Sequence, residues 1–434
     1  MSQINVGIIG FGTVGAGTYE LLVSNREIIA KRVGTKVVVR KIADLDTESD
    51  RGVPFGQDLL TTDAMDLIND PDIDIVVELM GGLKTAADYI LKAMDSGKHV
   101  VTANKALLAE RGEEIYQTTR RCGVSLGFEA SVGGGIPILN AMKRGLSANR
   151  IQTIMGILNG TSNYILTGMT RKGLPYDQVV KEAVELGFAE DPPTLDVDGT
   201  DAAHKLAILI SIAFGSPASF SEIYREGIVD LTPDDLRYAS EFGYSVKLLA
   251  VARDLGDRMD ARVHPAMIPE NHILANVNDA YNAIYLEGDF VGQNLYYGLG
   301  AGRRTTASAV VSDIIGLARQ IRLGNRGLIP PLAHELAPGR DILIQPIENL
   351  TSPYYFRFSA LDRPGVLSKI AGVLGEHNIS ISSVIQKGRE VNRAVPIVML
   401  THEARESDVQ KALSLMDDLD ILTDRTIMMR VEDR

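Results

Sequence analysis

The chain opens on a short apolar run, residues 4–9, that leads directly into Gly10-Phe11-Gly12-Thr13-Val14-Gly15 and then into a helical pattern through Leu21 and Leu22. A strand, a GxGxxG loop and a helix in that order leave few folds open. The first glycine permits a tight turn, the second lets a pyrophosphate approach the main chain, and the third lets helix and strand pack closely. The N–H groups at the helix start then face the phosphate. Gly10, Phe11, Gly12, Thr13, Val14 and Gly15 are therefore the expected dinucleotide contacts. Further apolar runs at residues 36–43, 74–79, 99–102 and 123–128 alternate with helix-length segments. The fold class expected is α/β, with a Rossmann-type parallel sheet at the amino end.

Two residues at the second run bear on cofactor choice. Asp44 follows its end, where a carboxylate accepts ribose hydroxyls and favours NAD; Arg40 lies within it and can meet a 2′-phosphate, favouring NADP. Both readings stand, and so does plain surface charge. Gly81-Gly82 and Lys105 follow the ends of other runs, where open α/β sheets bind ligands. The glycine-dense stretch from Glu129 to Pro137 suits either a crossover between domains or main-chain carbonyls turned onto a hard cation; the residues alone favour the crossover.

Gly187 to Leu209 is the stretch with the most chemistry. The acidic residues Glu190, Asp191, Asp196, Asp198 and Asp201 run into a helix that is apolar nearly all round. Asp201 and Lys205 are four apart and share a helix face, with Asp198 joining them if the helix starts early enough. A lysine heading a buried helix needs a partner. The pair is thus either the mouth of a buried site or an ordinary surface pair. His204 points to another face. Asn159-Gly-Thr-Ser-Asn163 can be turn chemistry or substrate contact, and the glycines ending at Gly302 can approach a cofactor or make a turn.

Residues 324–349 are rich in proline and form a linker by composition. Residues 350–434 then read strand–helix–strand–strand–helix–strand, the ferredoxin-like arrangement. Asp362-Arg-Pro-Gly365 puts backbone amides at a helix start, which suits a carboxylate, and Asn378 can reach the same pocket. Asp362, Gly365 and Asn378 are the expected contacts of a small ligand there, an effector if the resemblance given below holds. The division expected is a dinucleotide domain at 1–130 with a return helix at about 305–323, an α+β domain at 131–304 that the resemblance given below makes catalytic and dimerising, the linker at 324–349, and the terminal domain at 350–434.

A net charge of −12 argues against a nucleic-acid partner. One cysteine, Cys122, excludes an internal disulfide and fits a reducing compartment. With no signal-like start and no apolar run of about 18 residues, a cytoplasmic protein without a membrane span is expected.

These motifs together resemble homoserine dehydrogenase of the monofunctional type, with a C-terminal ACT domain. The resemblance rests on Gly10 to Gly15, Thr102-Ala-Asn-Lys105, Glu129 to Pro137, Asn159 to Asn163, Gly187-Phe-Ala-Glu190 and Asp196 to Leu206. It implies reduction of L-aspartate 4-semialdehyde to L-homoserine by NADPH or NADH, on the route to threonine and methionine. It implies Lys205 as proton donor, Asp201 and Glu190 as substrate residues beside Gly187, and Lys105 at the cofactor–substrate junction. Glu129, Val132, Gly134 and Ile136 match the family's monovalent-cation (Na+) site, which reverses the preference for a crossover. A homodimer or homotetramer and an amino-acid effector, threonine first, follow from the same resemblance. Leu299 and Thr305 stand where the family has proline. An aldehyde-oxidising dehydrogenase would need a cysteine nucleophile, and Cys122 lies between a helix and a strand away from the site loops. A non-catalytic sensor would not need Lys205, Asp201, Glu190 and Lys105 together.

Overall fold

Parallel pairing orders six strands as Leu60–Thr61, Lys36–Ala43, Gln3–Ile9, Ile75–Glu78, His99–Thr102 and Leu126–Gly127. This is the dinucleotide-binding order expected, with its reversal beside Gln3–Ile9. The structure is a computed structural model that describes residues 3–189, 191–325, 329–335, 342–387 and 394–433. Gly10 sits at the reversal with φ +93°, and a Cβ there would lie 2.7 Å from the main chain of Leu79 and Met80. Only glycine permits that turn and that approach at once. The helix Arg303–Arg322 packs on the helix Thr13–Ser24, and its Val310, Ile314 and Leu317 join Ile4, Val6, Ile8 and Val77 in one buried core.

The chain divides into two compact units. The first comprises residues 1–154, 203–221 and 282–342, and the second residues 155–202, 222–281 and 343–434. In the second unit, Tyr244–Asp254 and Met259–Pro269 form a long antiparallel hairpin. Met259–Pro269 then pairs in parallel with Ile427–Val431, placing Ala266 opposite Arg430. The sheet continues through Tyr354–Leu361, Ala394–Thr401 and Ile381–Gln386. The terminal domain is therefore ferredoxin-like as expected. Its last strand also extends the sheet of the body. Val366–Glu376 and Glu406–Asp417 supply its helices, over a core of Tyr354, Phe356, Phe358, Ile370 and Val409.

Three elements differ from expectation. The run at 123–128 is a strand only over Leu126–Gly127, because Glu129 turns away into a short 3-10 turn. The last strand, which the apolar pattern places from Ile421, begins only at Ile427, just after Thr426 gives both its amide and its hydroxyl to Asp417. Gly292–Leu299, where the sequence marks only the glycines ending at Gly302, is a strand beside Tyr281–Gly288.

Candidate active site

The end of the second strand is organised by Asp44. Its Oδ2 accepts the Phe11 amide at 2.5 Å and its Oδ1 accepts the Asp46 amide at 2.9 Å. Arg51 Nη2 lies 3.5 Å from Asp44 Oδ1 and 3.0 Å from Asp46 Oδ2. Arg40 is not there. Its guanidinium is held by Asp70 at 2.9 Å and Asp72 at 2.8 Å. Four residues of strand span roughly 13 Å, so an arginine that far before Asp44 meets the neighbouring loop instead. Arg51 is the basic side chain beside Asp44, and nothing in its loop sequence marked it. Gly302 has φ +118° just before the helix Arg303–Arg322. Thr305 donates to the carbonyls of Ala301 (2.7 Å) and Gly302 (3.0 Å), closing the turn that a proline would otherwise set. Leu299 offers its carbonyl to Gly135 at 3.1 Å. Gly300 and Gly134 are in such close approach that a Cβ on either would strike Asn282 or Gly300.

At the end of the strand Ile75–Glu78 sits a residue the apolar pattern hid. Glu78 is fully buried; Oε2 accepts the Thr102 hydroxyl at 2.6 Å, and Oε1 accepts the amides of Met80 and Gly81 at 3.0 Å. Burial pushes its carboxyl up from the usual range. Asn104 then donates to the Gly82 carbonyl at 2.7 Å and accepts the Leu107 amide at 3.1 Å. This capping sets Lys105 as the first residue of the helix Lys105–Arg121.

Glu129 is buried, and its carboxylate accepts the amides of Leu139 (2.8 Å) and Asn140 (2.7 Å) together with the Asn140 side chain. Its own amide donates to Asp313 at 2.7 Å. Burial, reinforced by Asp313, pushes Glu129 up to about 7. Burial likewise pushes Asp313 up to about 6 and Lys143 down to about 8. Val132, Gly134 and Ile136 follow on the loop, where Gly133 (φ +72°) and Gly134 (φ +51°) turn the main chain. Ile136 O accepts the Ile138 amide at 2.8 Å. Two carboxyls and one lysine share this interior, and hard-cation chemistry asks for carbonyl and carboxylate oxygens of this kind. The donor types fit a monovalent cation. Among the described residues no group of three His, Cys, Asp or Glu could hold a metal ion.

In the second unit Asn159 is the hub. Its Oδ1 accepts the Ser162 amide at 2.7 Å and caps the helix Gly160–Lys172; its Nδ2 donates to Asp196 at 2.7 Å and Asp201 at 2.9 Å. One neutral amide thus fixes two carboxylates. Asn163 instead donates to the carbonyls of Val277, Asp279 and Tyr281, at 2.9–3.2 Å, and is a structural residue. The buried Lys247 braces the same loop at the Val277 carbonyl, 2.5 Å away. Thr161 donates to Phe188 O at 2.7 Å, fixing the loop that follows Gly187, whose φ is +74°. Glu190 lies outside the described residues.

The helix Thr200–Phe214 is preceded by Asp198, which accepts the Thr200 amide at 2.8 Å. The helix does not start early enough to put Asp198 on the Asp201–Lys205 face; Asp198 lies ahead of it and accepts its first amide. Asp201 and Lys205 lie one turn apart, 6% and 8% exposed, so the surface-pair reading falls. His204 turns elsewhere. Its ring stacks on Phe220 with centroids 4.2 Å apart, and Nε2 lies 3.4 Å from Glu110 on the helix that Lys105 begins.

In the terminal domain Gly365 has φ +90° just before the helix Val366–Glu376, and a buried oxygen of Asp362, Oδ2, makes no hydrogen bond. Asn378 is exposed at φ +59°, the left-handed turn that ends that helix. Its conformational duty is clear from the backbone alone.

Comparison with known proteins covers the whole chain. The family model "Homoserine dehydrogenase, NAD binding domain" matches residues 10–129, "Homoserine dehydrogenase" residues 137–315, and the ACT domain residues 354–420. The chain is 44% identical to a homoserine dehydrogenase of Neisseria gonorrhoeae, covering 100% of this chain and 99% of that one. It is 45% identical to one of Pseudomonas aeruginosa, over 100% and 99%. A solved homoserine dehydrogenase of Thiobacillus denitrificans superposes with a TM-score of 0.93 at 45% identity, covering 99% of this chain and 98% of that one. Among the described residues no helix is long and apolar enough to cross a membrane.

Proposed function

The chain belongs to the homoserine dehydrogenase family, NAD(P)-dependent oxidoreductases, and from that premise we propose that it interconverts L-homoserine and L-aspartate 4-semialdehyde with Lys205 as proton donor. The observation that carries this reading is the buried face shared by Asp201 and Lys205, with Asp201 fixed by the Asn159 amide at 2.9 Å. The nicotinamide cofactor supplies the hydride. Negative charge then develops on the carbonyl oxygen, and an ammonium beside it both stabilises that charge and delivers a proton from Nζ. Asp201 holds the reacting end of the substrate, Glu190 its ammonium, and Lys105 the cofactor–substrate junction. Gly10 to Gly15 and Gly302 seat the dinucleotide. Glu129, with Val132, Gly134 and Ile136, would hold a monovalent cation, whose charge would steady the loop.

The test is absorbance of the reduced nicotinamide on mixing the protein with L-homoserine and NAD or NADP. Production of the reduced band supports the activity; binding of both ligands without turnover supports a sensor instead.

The terminal domain binds an amino acid, threonine first, as the end-product of a route in which the reaction stands. The buried Asp362 carboxylate oxygen supports an ammonium contact there. The protein acts as a cytoplasmic homodimer or homotetramer. Because Ile427–Val431 is part of the body's sheet, removing the domain would strip that sheet of a strand, so the full chain must be used. Asp362→Ala should abolish a response to millimolar threonine while leaving turnover without it; an unchanged response would place the effector elsewhere.

A further inference from the structure

We infer that Asp44 and Asp46 clamp Arg51 at the end of the second strand, and that this clamp makes NAD preferred over NADP. The inference rests on the dinucleotide reading of the glycine loop. Asp44 is tied to that loop through the Phe11 amide, so its carboxylate stands where adenosine ribose hydroxyls lie in such folds. Arg51 is the basic group within reach, and it is already engaged. Nη2 donates to the Asp46 carbonyl at 2.8 Å and faces two carboxylates at 3.0 and 3.5 Å. The Asp46 carboxylate is fixed in turn by the amides of Ser49 (3.0 Å) and Glu48 (3.2 Å).

The loop that carries these groups is itself anchored. Arg303 donates to the Arg51 carbonyl at 3.0 Å and pairs with Glu20 at 3.1 Å. The Phe55 ring meets Phe11 edge-on, with centroids 5.0 Å apart. A 2′-phosphate entering here meets two carboxylates and one arginine whose charge they already offset. A 2′-hydroxyl meets a carboxylate with lone pairs to accept it. The arrangement favours the hydroxyl. Arg51 is held in reserve as a phosphate ligand, and it is released when either carboxylate loses its charge. Arg40 takes no part, since Asp70 and Asp72 hold it.

The experiment is equilibrium binding of NADH and NADPH to the full-length protein, followed by nicotinamide fluorescence at one ionic strength. The parent protein should bind NADH about tenfold or more tightly than NADPH. Asp44→Asn should weaken NADH and collapse that ratio. Asp46→Asn, on an exposed side chain, should tighten NADPH several-fold, and adding Arg51→Ala should remove the gain. Arg40→Ala should leave the ratio unchanged. Equal or tighter binding of NADPH by the parent would overturn the inference, as would a ratio that moves with Arg40 and not with Arg51. Failure of both dinucleotides to bind would overturn the reading of the glycine loop itself, and the inference with it.

Discussion

Two polar clusters in the second unit hold carboxylates with different donors, one an amide and the other guanidinium groups. Around Asn159, a neutral amide orients Asp196 and Asp201 at 2.7 and 2.9 Å. Along the last strand, guanidinium groups neutralise carboxylates outright. Arg430 is fully buried and forks onto Glu406 at 2.6 and 2.8 Å, with a further contact to Glu226 at 2.7 Å. Arg262, also buried, meets Glu432 and Asp260, and Arg253 reaches Glu432 at 2.8 Å. Burial pushes the Glu406 carboxyl up, but hydrogen bonds and charge from Arg430 outweigh it and hold Glu406 below the usual carboxylate range. The second arrangement satisfies its charges within the protein and fastens the terminal strand. In the first, the amide that orients the carboxylates brings no charge of its own.

The comparison breaks first at Arg430. Arg430→Ala leaves Glu406 buried without its fork and should cost about 3–5 kcal/mol of stability in denaturant unfolding, while turnover per folded molecule stays near normal. A small stability loss with a large loss of turnover would erase the distinction between the clusters.

Lys247 sharpens it, as a buried cation braced by the Val277 carbonyl and by the Asn163 (3.4 Å) and Asn278 (3.2 Å) side chains. Burial pushes its ammonium from 10.5 down to about 8. A depressed value in the folded state means the associated stability is full above 10.5 and is lost as pH falls towards 8. Unfolding in denaturant should therefore show stability rising between those limits, on the order of 2–3 kcal/mol. Lys247→Met should remove that rise; identical pH profiles for the two proteins would refute the assignment.

Asn159 gives the smallest effect. Asn159→Leu frees both carboxylates from their shared donor and should lower kcat/KM for homoserine about tenfold. NADH binding should be unaffected. A loss confined to the cofactor would mean that Asn159 does not serve Asp201.

The glycine loop and the Asp201–Lys205 face were legible because each is a local pattern, one a fixed motif and the other a helical spacing of four. The residues missed are set by contacts distant in sequence. Arg40 and Arg51 are both arginines near Asp44 in the chain, and only the path of the neighbouring loops separates them. Glu78 ends an apolar strand, and its acceptor role depends on Thr102 from the next strand. Asn163 looked like its neighbour Asn159, yet its three carbonyl partners lie more than 110 residues on. The parallel pairing of Met259–Pro269 with Ile427–Val431 had no signal either. Alternation predicts a strand without naming its partner.

The proposed chemistry depends on Lys205, and the most direct measurement is kcat for Lys205→Ala beside its NADH dissociation constant and unfolding midpoint. A proton donor at Lys205 requires a fall in kcat of about 100-fold or more, with cofactor binding nearly intact and the protein folded. A folded variant that turns over homoserine at close to the parent rate would contradict it.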